Sequence, residues 1–119
     1  MQPVGIDEMA APPAMDRASL ERIADLFKVF GDATRLAILQ ELKAGALNVG
    51  ELVDRLGTTQ ANVSKHLRIM HDARLLKREK LGTAAYYAID DELVVPLCRI
   101  VCEKLNRDSR ASDTTDFAI

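Results

Sequence analysis

Two short helical segments on either side of Gly57 set the strongest limit on the fold of this chain. In the first, residues 50–56, leucine and valine recur at helical intervals, and Gly57 can adopt the positive φ that ends a helix. In the second, Val63, Leu67 and Met70 stand at positions i, i+4 and i+7, which places them on one helix face. A short helix, a turn of about three residues and a polar-faced second helix are typical of a helix-turn-helix motif.

The outward face of the second segment carries polar and basic side chains that suit DNA. Glutamine, asparagine and serine can hydrogen-bond base edges in the major groove, and lysine and arginine can bind phosphates or guanine. We therefore predict DNA contacts from Thr59, Gln60, Asn62, Ser64, Lys65, His66 and Arg68. Thr59 can also cap the helix, and a hydrogen bond to a neighbouring backbone carbonyl is the alternative role for His66.

A β-hairpin is predicted directly after this segment. Residues 75–80 and 84–89 flank a turn marked by Gly82, and they contain aromatic residues and apolar residues that alternate with charged ones. A basic hairpin that follows a helix-turn-helix is a wing, so the predicted fold is mainly α, a winged helix-turn-helix of about five helices. The wing residues predicted to contact the DNA backbone or minor groove are Arg78, Lys80 and Thr83.

The charge distribution favours nucleic-acid binding, although the whole chain has a net charge of −2. Residues 60–80 contain six lysines and arginines against two acidic residues, so this stretch alone carries a net charge of +4. Charge concentrated on one stretch is what phosphate binding requires, whatever the total. A solvated helix face is the alternative interpretation of the same residues.

Amphipathic helices are predicted on both sides of this region. The first covers residues 17–30, and Asp32 can cap a second helix, in which Arg35 could meet a phosphate or form a structural salt bridge. The last helix either starts late, near Val94, or is kinked at Pro96, because proline removes a backbone hydrogen bond beyond the first turn. The predicted organisation is a disordered leader (1–16), one domain (17–106) and a disordered tail (107–119).

Several classes of protein are not expected from this composition. No apolar run approaches the ~18 residues that span a bilayer, and the N-terminus lacks a charged-then-apolar signal pattern, so we expect a cytoplasmic protein without a membrane partner. Two cysteines cannot form the disulfide framework of a small extracellular scaffold. An enzyme is not expected, because no catalytic triad, phosphate-cradling glycine loop or complete metal-ligand cluster is evident.

Three stretches of the sequence resemble the ArsR/SmtB family of bacterial repressors. They are residues 30–39 (FGDATRLAIL), 59–67 (TQANVSKHL) and 82–87 (GTAAYY), within a match over residues 18–106. The resemblance implies a homodimer joined through the first and last helices, and a repressor that leaves its DNA operator when an inducer binds. A two-fold dimer would place two recognition helices in successive major grooves ~34 Å apart, so an imperfect palindrome is the expected operator.

The inducer site suggested by the residues is a pair of thiols on the last helix. Arsenic sensors of the family often carry paired cysteines where this chain has Asn48 and Gly50, and of the zinc-sensor ligand positions only Asp91 fits. Cys98 and Cys102 remain, spaced i, i+4 on one helix face. Soft thiolates at this spacing could bind As(III), Hg(II) or Cd(II), or react with persulfides. Plain packing of two small side chains is the alternative interpretation.

The leading hypothesis is a dimeric DNA-binding repressor whose occupancy is set by an inducer at Cys98 and Cys102. Two alternatives stay open: a regulator of the same fold whose signal is not a thiol ligand, and a winged-helix protein-interaction module without DNA readout. The polar face of residues 60–68 argues against the interaction module, because a protein-binding face would normally carry aromatic or apolar anchors.

Overall fold

Five helices and three short strands form the part of the chain that the computed structural model describes, residues 14–109 and 116–119. In chain order they are α1 (Arg17–Phe30), α2 (Ala33–Leu42), β1 (Leu47–Asn48), α3 (Val49–Leu56), α4 (Gln60–Asp72), β2 (Leu76–Leu81), β3 (Ala84–Ile89) and α5 (Val94–Asp108). The predicted mainly α fold with a β-hairpin wing is confirmed. Most of the predicted leader, residues 1–13, lies outside the described residues.

Polar side chains cap the starts of the first four helices. Each accepts a hydrogen bond from the backbone N–H three residues ahead, which satisfies a donor that has no partner within the helix. The four pairs are Asp16 with Ser19, Asp32 with Arg35, Asn48 with Glu51 and Thr59 with Asn62. The caps predicted at Asp32 and Thr59 are therefore confirmed. Gly57 has a φ of 65° and ends α3, also as predicted.

The core lies where α2, α3 and α4 pack against one another and against the sheet. Ile38 of α2 and Leu52 of α3 have no solvent exposure. The predicted apolar stripe of α4, formed by Val63, Leu67 and Met70, is buried with them. Because these side chains point inward, the core determines how α4 is rotated about its own axis.

The three strands form an antiparallel sheet in the order β1-β3-β2. β2 and β3 are the predicted hairpin, and Gly82 in their turn has a φ of 65°, which glycine adopts without steric cost. The sequence pattern does not predict β1, since a strand of two residues has no periodicity. β1 pairs Leu47 with Tyr87 and Asn48 with Tyr86, and it thereby ties the wing to the start of α3.

The last helix has a late start, which is one of the two alternatives that the sequence left open. α5 begins at Val94, so Pro96 lies in its first turn, where no backbone N–H is needed for the helix. Its other end, at Asp108, extends two residues beyond the predicted domain.

The final residues of the chain pack against the helices. The side-chain amide of Asn106 bonds the backbone of Phe117, accepting from its N–H at 2.8 Å and donating to its carbonyl at 3.1 Å. Lys43 Nζ donates to the carbonyl oxygen of Ile119 at 2.6 Å. Residues 107 and 108 continue α5, and these hydrogen bonds join Phe117 and Ile119 to the helices, while disorder of the tail stays a prediction. The rest of the predicted tail includes residues 110–115, which lie outside the described residues.

Two helices at the edge of the fold expose large apolar side chains. α1 buries only Phe30. The exposed side chains are Leu20, Ile23, Leu26 and Phe27 in α1 and Ile100, Val101 and Leu105 in α5. Even so, none of the helices in the described part of the chain is long and apolar enough to cross a membrane.

Replacing Leu52 with alanine should destabilise the fold, because the side chain is fully buried and its neighbours can collapse only partly into the space left. We expect the free energy of unfolding to fall by about 2–5 kcal/mol. Leu81→Ala removes the same atoms from a side chain that is 58% exposed, so its effect should stay within about 0.5 kcal/mol. Urea unfolding followed by circular dichroism measures both changes. Equal losses in the two variants would contradict the assignment of Leu52 to the core.

Candidate nucleic-acid interface

Four of the predicted DNA contacts form one exposed stripe along α4. Gln60, Ser64 and Arg68 follow one another at intervals of four residues, and Lys65 lies beside them. All four side chains are exposed: Ser64, Lys65 and Arg68 lie on the side of the helix away from its buried residues, and Gln60 is the first residue of the helix. The stripe presents amide, hydroxyl and cationic groups, which are the groups that read base edges and bind phosphates.

Arg68 is held only weakly in its present position. Its Nε lies 3.9 Å from Oδ2 of Asp72, and both side chains are largely exposed. Exposed ion pairs contribute little to stability, so the guanidinium can turn toward a phosphate at small cost.

Thr59 and Asn62 take part in the turn between α3 and α4. Oγ1 of Thr59 accepts from the backbone N–H of Asn62 at 3.1 Å, and Nδ2 of Asn62 donates to Oγ1 of Thr58, also at 3.1 Å. Asn62 is half-buried, whereas Thr59 is exposed. These bonds order the start of α4, and DNA contact by either residue stays a prediction.

His66 differs from the other predicted DNA contacts because its side chain lies in the interior. It is 5% exposed, and Nη1 of Arg35 donates to its Nδ1 at 3.1 Å. Burial lowers the pKa of His66, the carboxylate of Asp32 opposes this shift, and the positive charges of Lys65 and Arg35 add to it. A base contact does not fit this burial, and the polar partner in the structure is a guanidinium rather than a backbone carbonyl.

Arg35 is half-buried, and its guanidinium is bound to the end of α1. Its Nε donates to the carbonyl oxygen of Val29 at 2.7 Å, and its Nη2 donates to that of Lys28 at 3.0 Å. The structure thus shows a cap on the last turn of α1 in place of the salt bridge, and a phosphate contact by Arg35 stays a prediction. No local pattern indicates this role, because the carbonyls involved lie in a different helix.

The wing carries its basic side chains on β2 and is held against α4. Lys80 and Thr83 are exposed near the turn, as a DNA-contacting role requires. Nε of Arg78 donates to the hydroxyl of Tyr87 at 3.2 Å. The ring of Tyr87 also meets His71 edge-on, with 6.4 Å between ring centroids. Sequence reasoning did not assign Tyr87 to this site, although an aromatic residue opposite the basic strand was a usable signal.

Both cysteines border an apolar cavity of about 370 Å³. Cys98 and Cys102 are free thiols, and both are buried. The cavity lies between α1, α2, α5 and the final residues of the chain. The other side chains around it belong to Phe27, Phe30, Leu36, Leu97, Val101, Leu105, Phe117, Ala118 and Ile119.

The environment of Cys98 favours the protonated thiol. Burial raises the pKa of Cys98, nearby Cys102 raises it further, and the positive charge of Lys43 acts in the opposite direction. A thiol with a raised pKa is protonated at neutral pH. Among the described residues, no group of three or more histidine, cysteine, aspartate or glutamate side chains could hold a metal ion. The thiol pair therefore offers two ligands, one fewer than a three-coordinate As(III) needs.

Comparison with known proteins supports a DNA-binding role for this chain. Residues 30–79 match a family described as a helix-turn-helix domain. The arsenical resistance operon repressor of Bacillus subtilis is 38% identical over 76 residues, covering 63% of this chain and 72% of the relative. A transcriptional repressor SmtB homolog of Synechocystis is 30% identical over 94 residues, covering 79% of this chain and 71% of the relative. The crystal structure of the transcriptional repressor PagR of Bacillus anthracis superposes with a TM-score of 0.61 at 36% identity, over 72% of this chain and 99% of that one.

The relatives are DNA-binding regulators of transcription and not enzymes, which confirms the expectation that this chain is not an enzyme. Their similarity extends over the helix-turn-helix that presents the exposed stripe of α4. The chain belongs to the ArsR/SmtB family of winged helix-turn-helix transcriptional repressors.

Proposed function

We propose that two copies of this chain bind a palindromic DNA operator as a repressor and leave it when an inducer reaches the cavity beside Cys98 and Cys102. The observation that carries the DNA-binding part is the exposed stripe of Gln60, Ser64 and Lys65, together with Arg68, beside a basic wing. The thiol pair and the apolar cavity support the inducer part.

α4 supplies sequence readout, and cations on α4 and the wing supply phosphate contacts. Gln60 and Ser64 are exposed and would face base edges when α4 enters the major groove, which is wide enough for one α-helix. Lys65 and Lys80 can bind phosphates, and such contacts fix the register of a protein on the duplex. No large apolar side chain is exposed on α4, which argues against a protein-interaction module.

The apolar faces of α1 and α5 support a two-fold dimer. Phe27 of α1 is 62% exposed and Ile100 of α5 is 60% exposed, alongside the other apolar residues of these helices. Large exposed apolar surfaces mark interaction sites, and a second copy of the chain would bury the same surface on both partners. The two α4 helices would then face half-sites ~34 Å apart on the DNA.

The position of the thiols supports an inducer that acts on helix packing. Cys98 and Cys102 are one turn apart on α5, and the cavity they border also reaches Phe27 of α1. A soft metal(loid) such as As(III) held by both sulfurs would change how α5 packs against α1, with a third ligand from the second subunit or a small thiol. A coupling of ~1–3 kcal/mol would lower operator occupancy about 5- to 150-fold.

Variants of the exposed stripe should separate phosphate binding from base reading. Lys65→Ala should weaken binding to all sequences and lower the salt slope by about one, whereas Gln60→Ala should cost about 1–3 kcal/mol and relax specificity at one base pair. Fluorescence anisotropy on a duplex from the chain's own promoter, over a series of salt concentrations, measures both. Lys104→Ala, which removes an exposed lysine from α5, is the control and should change neither quantity. A Lys65→Ala variant with wild-type affinity and salt slope would contradict the assignment of α4 to the DNA interface.

Arsenite added to the protein–duplex complex tests the inducer site. Release at stoichiometric arsenite is the expected result, and Cys98→Ser or Cys102→Ser should abolish it while leaving duplex binding intact, because neither thiol lies on the DNA-facing stripe. Mercury(II) and a persulfide donor are added in parallel reactions. Binding that resists all three reagents would contradict thiol sensing and leave the regulator with a non-thiol signal.

A further inference from the structure

We propose that Arg35 is a positioning residue for the recognition helix α4: through His66 it holds α4 against the C-terminal end of α1, and it does so only while His66 is neutral. This inference rests on the proposed DNA binding and adds to it a specific pair of residues and a pH dependence. Three helices, α1, α2 and α4, meet at the Arg35–His66 contact.

The guanidinium of Arg35 joins these helices through three hydrogen bonds. Nε and Nη2 donate to the carbonyl oxygens of Val29 and Lys28 in the last turn of α1, at 2.7 and 3.0 Å. Nη1 donates to Nδ1 of His66 at 3.1 Å. Carbonyls at the end of a helix lack partners within it and carry the negative end of its dipole. The arginine is therefore well anchored to α1, and its third donor reaches α4.

The donor role of arginine decides the protonation state of His66. A guanidinium has only N–H donors, so the imidazole nitrogen that faces it must offer a lone pair. Nδ1 of His66 is therefore unprotonated, and the proton of the neutral ring lies on Nε2. A proton added at Nδ1 would bring its N–H group to face that of Arg35, and the two positive charges would repel each other.

The charged groups around His66 support the neutral ring. Burial lowers the pKa of His66, and the carboxylate of Asp32, with Oδ1 3.9 Å from Nδ1, acts the other way. Lys65 on α4 and Arg35 on α2 lower the pKa further. Because the folded protein prefers the neutral form, the contact is present above the ordinary pKa of histidine and is lost as the pH falls through the lowered pKa.

His66 lies within the DNA-reading part of α4, where its position affects the exposed stripe. It directly follows Lys65 and stands two residues after Ser64. In the described part of the chain His66 is the one polar residue that is buried in the core. The apolar residues of α4 are held by packing, which has no preferred direction. The hydrogen bond from Arg35 is directional, so it fixes the position of α4 relative to the last turn of α1. Since α1 is also a proposed dimer helix, the contact links the subunit interface to the recognition helix.

The proposal and a direct DNA contact predict opposite effects of acid. If His66 touched DNA, protonation would add a cation near phosphates and strengthen binding. If His66 positions α4, protonation of His66 removes the form of the protein that binds DNA. At one pH unit below the pKa of His66 only about a tenth of the protein keeps the neutral ring, so duplex affinity should fall about tenfold.

Duplex affinity is measured by anisotropy as a function of pH for three proteins. Wild type should lose affinity in acid. His66→Asn keeps an amide oxygen near the position of Nδ1, but this side chain cannot take up a proton. The variant should therefore bind the duplex like wild type at neutral pH and should not show the loss of affinity in acid that His66 causes. His66→Leu removes the acceptor, and it should bind about tenfold more weakly across the whole pH range, as expected for a lost hydrogen bond to a charged group. Comparison with His66→Asn cancels the contributions of His71 and of the DNA.

Several results would overturn the proposal. Parallel pH profiles of duplex affinity for wild type and His66→Asn would show that protonation of His66 does not control DNA binding. Acid-strengthened binding that His66→Asn abolishes would make His66 a DNA contact instead. Leu52→Ala serves as the control for destabilisation, because it weakens the core away from the contact. If Leu52→Ala loses as much affinity as His66→Leu, the effect is one of stability and the positioning role fails.

A measurement on the free protein separates this inference from the proposed function. Nitrogen chemical shifts of the two histidines report which ring nitrogen carries the proton and at which pH the ring titrates. We expect the Nε2–H form for His66, a pKa below the ordinary histidine range, and a rise in that pKa in Arg35→Gln. An Nδ1–H ring, or a pKa that Arg35→Gln leaves unchanged, would contradict the contact. A wild-type protein that shows these shifts but binds no duplex would instead refute the proposed DNA binding.

Discussion

Burial of one face of α4 is the constraint on which the rest of the structure depends. Val63, Leu67 and Met70 have almost no exposure, and they pack where α2 and α3 meet. A helix has one rotation about its axis that buries such a stripe, and at that rotation Ser64 and Arg68 point to solvent. The orientation of the surface that we propose reads DNA is thus set by hydrophobic packing on the opposite side of the same helix.

Directional contacts then orient the neighbouring elements around this packed helix. Arg35 fixes the position of α4 relative to the end of α1, because it binds both His66 and two backbone carbonyls of α1. At the other end of α4, Tyr87 meets His71 and binds Arg78, so the wing keeps a defined position. The short strand β1 adds a third tie, between the wing and the start of α3.

The edge of the fold is organised differently from its core. α1 and α5 keep apolar surface exposed, and the cavity between them is bordered by two buried thiols, of which Cys98 has a pKa raised by burial. Asn106 and Lys43 bind the backbone of the final residues, which places Phe117 and Ile119 at the same cavity. The proposed second subunit and inducer would act on the same region that residues 117–119 contact, and α5, which carries the thiols, is therefore well placed to alter subunit packing in the proposed dimer.

The sequence by itself determined the features that depend on neighbours a few residues away. The cap at Asp32, the helix stop at Gly57 and the stripe that begins at Val63 follow from short spacings, because a helix turn brings residues three or four apart together. Of the predicted DNA contacts, four lie on one exposed stripe for the same reason. Only the tertiary structure decided that His66 turns inward and that Ile119 returns to the helices. Their partners, Arg35 and Lys43, stand 31 and 76 residues away in the chain, and contacts over such separations arise from packing that no local pattern encodes.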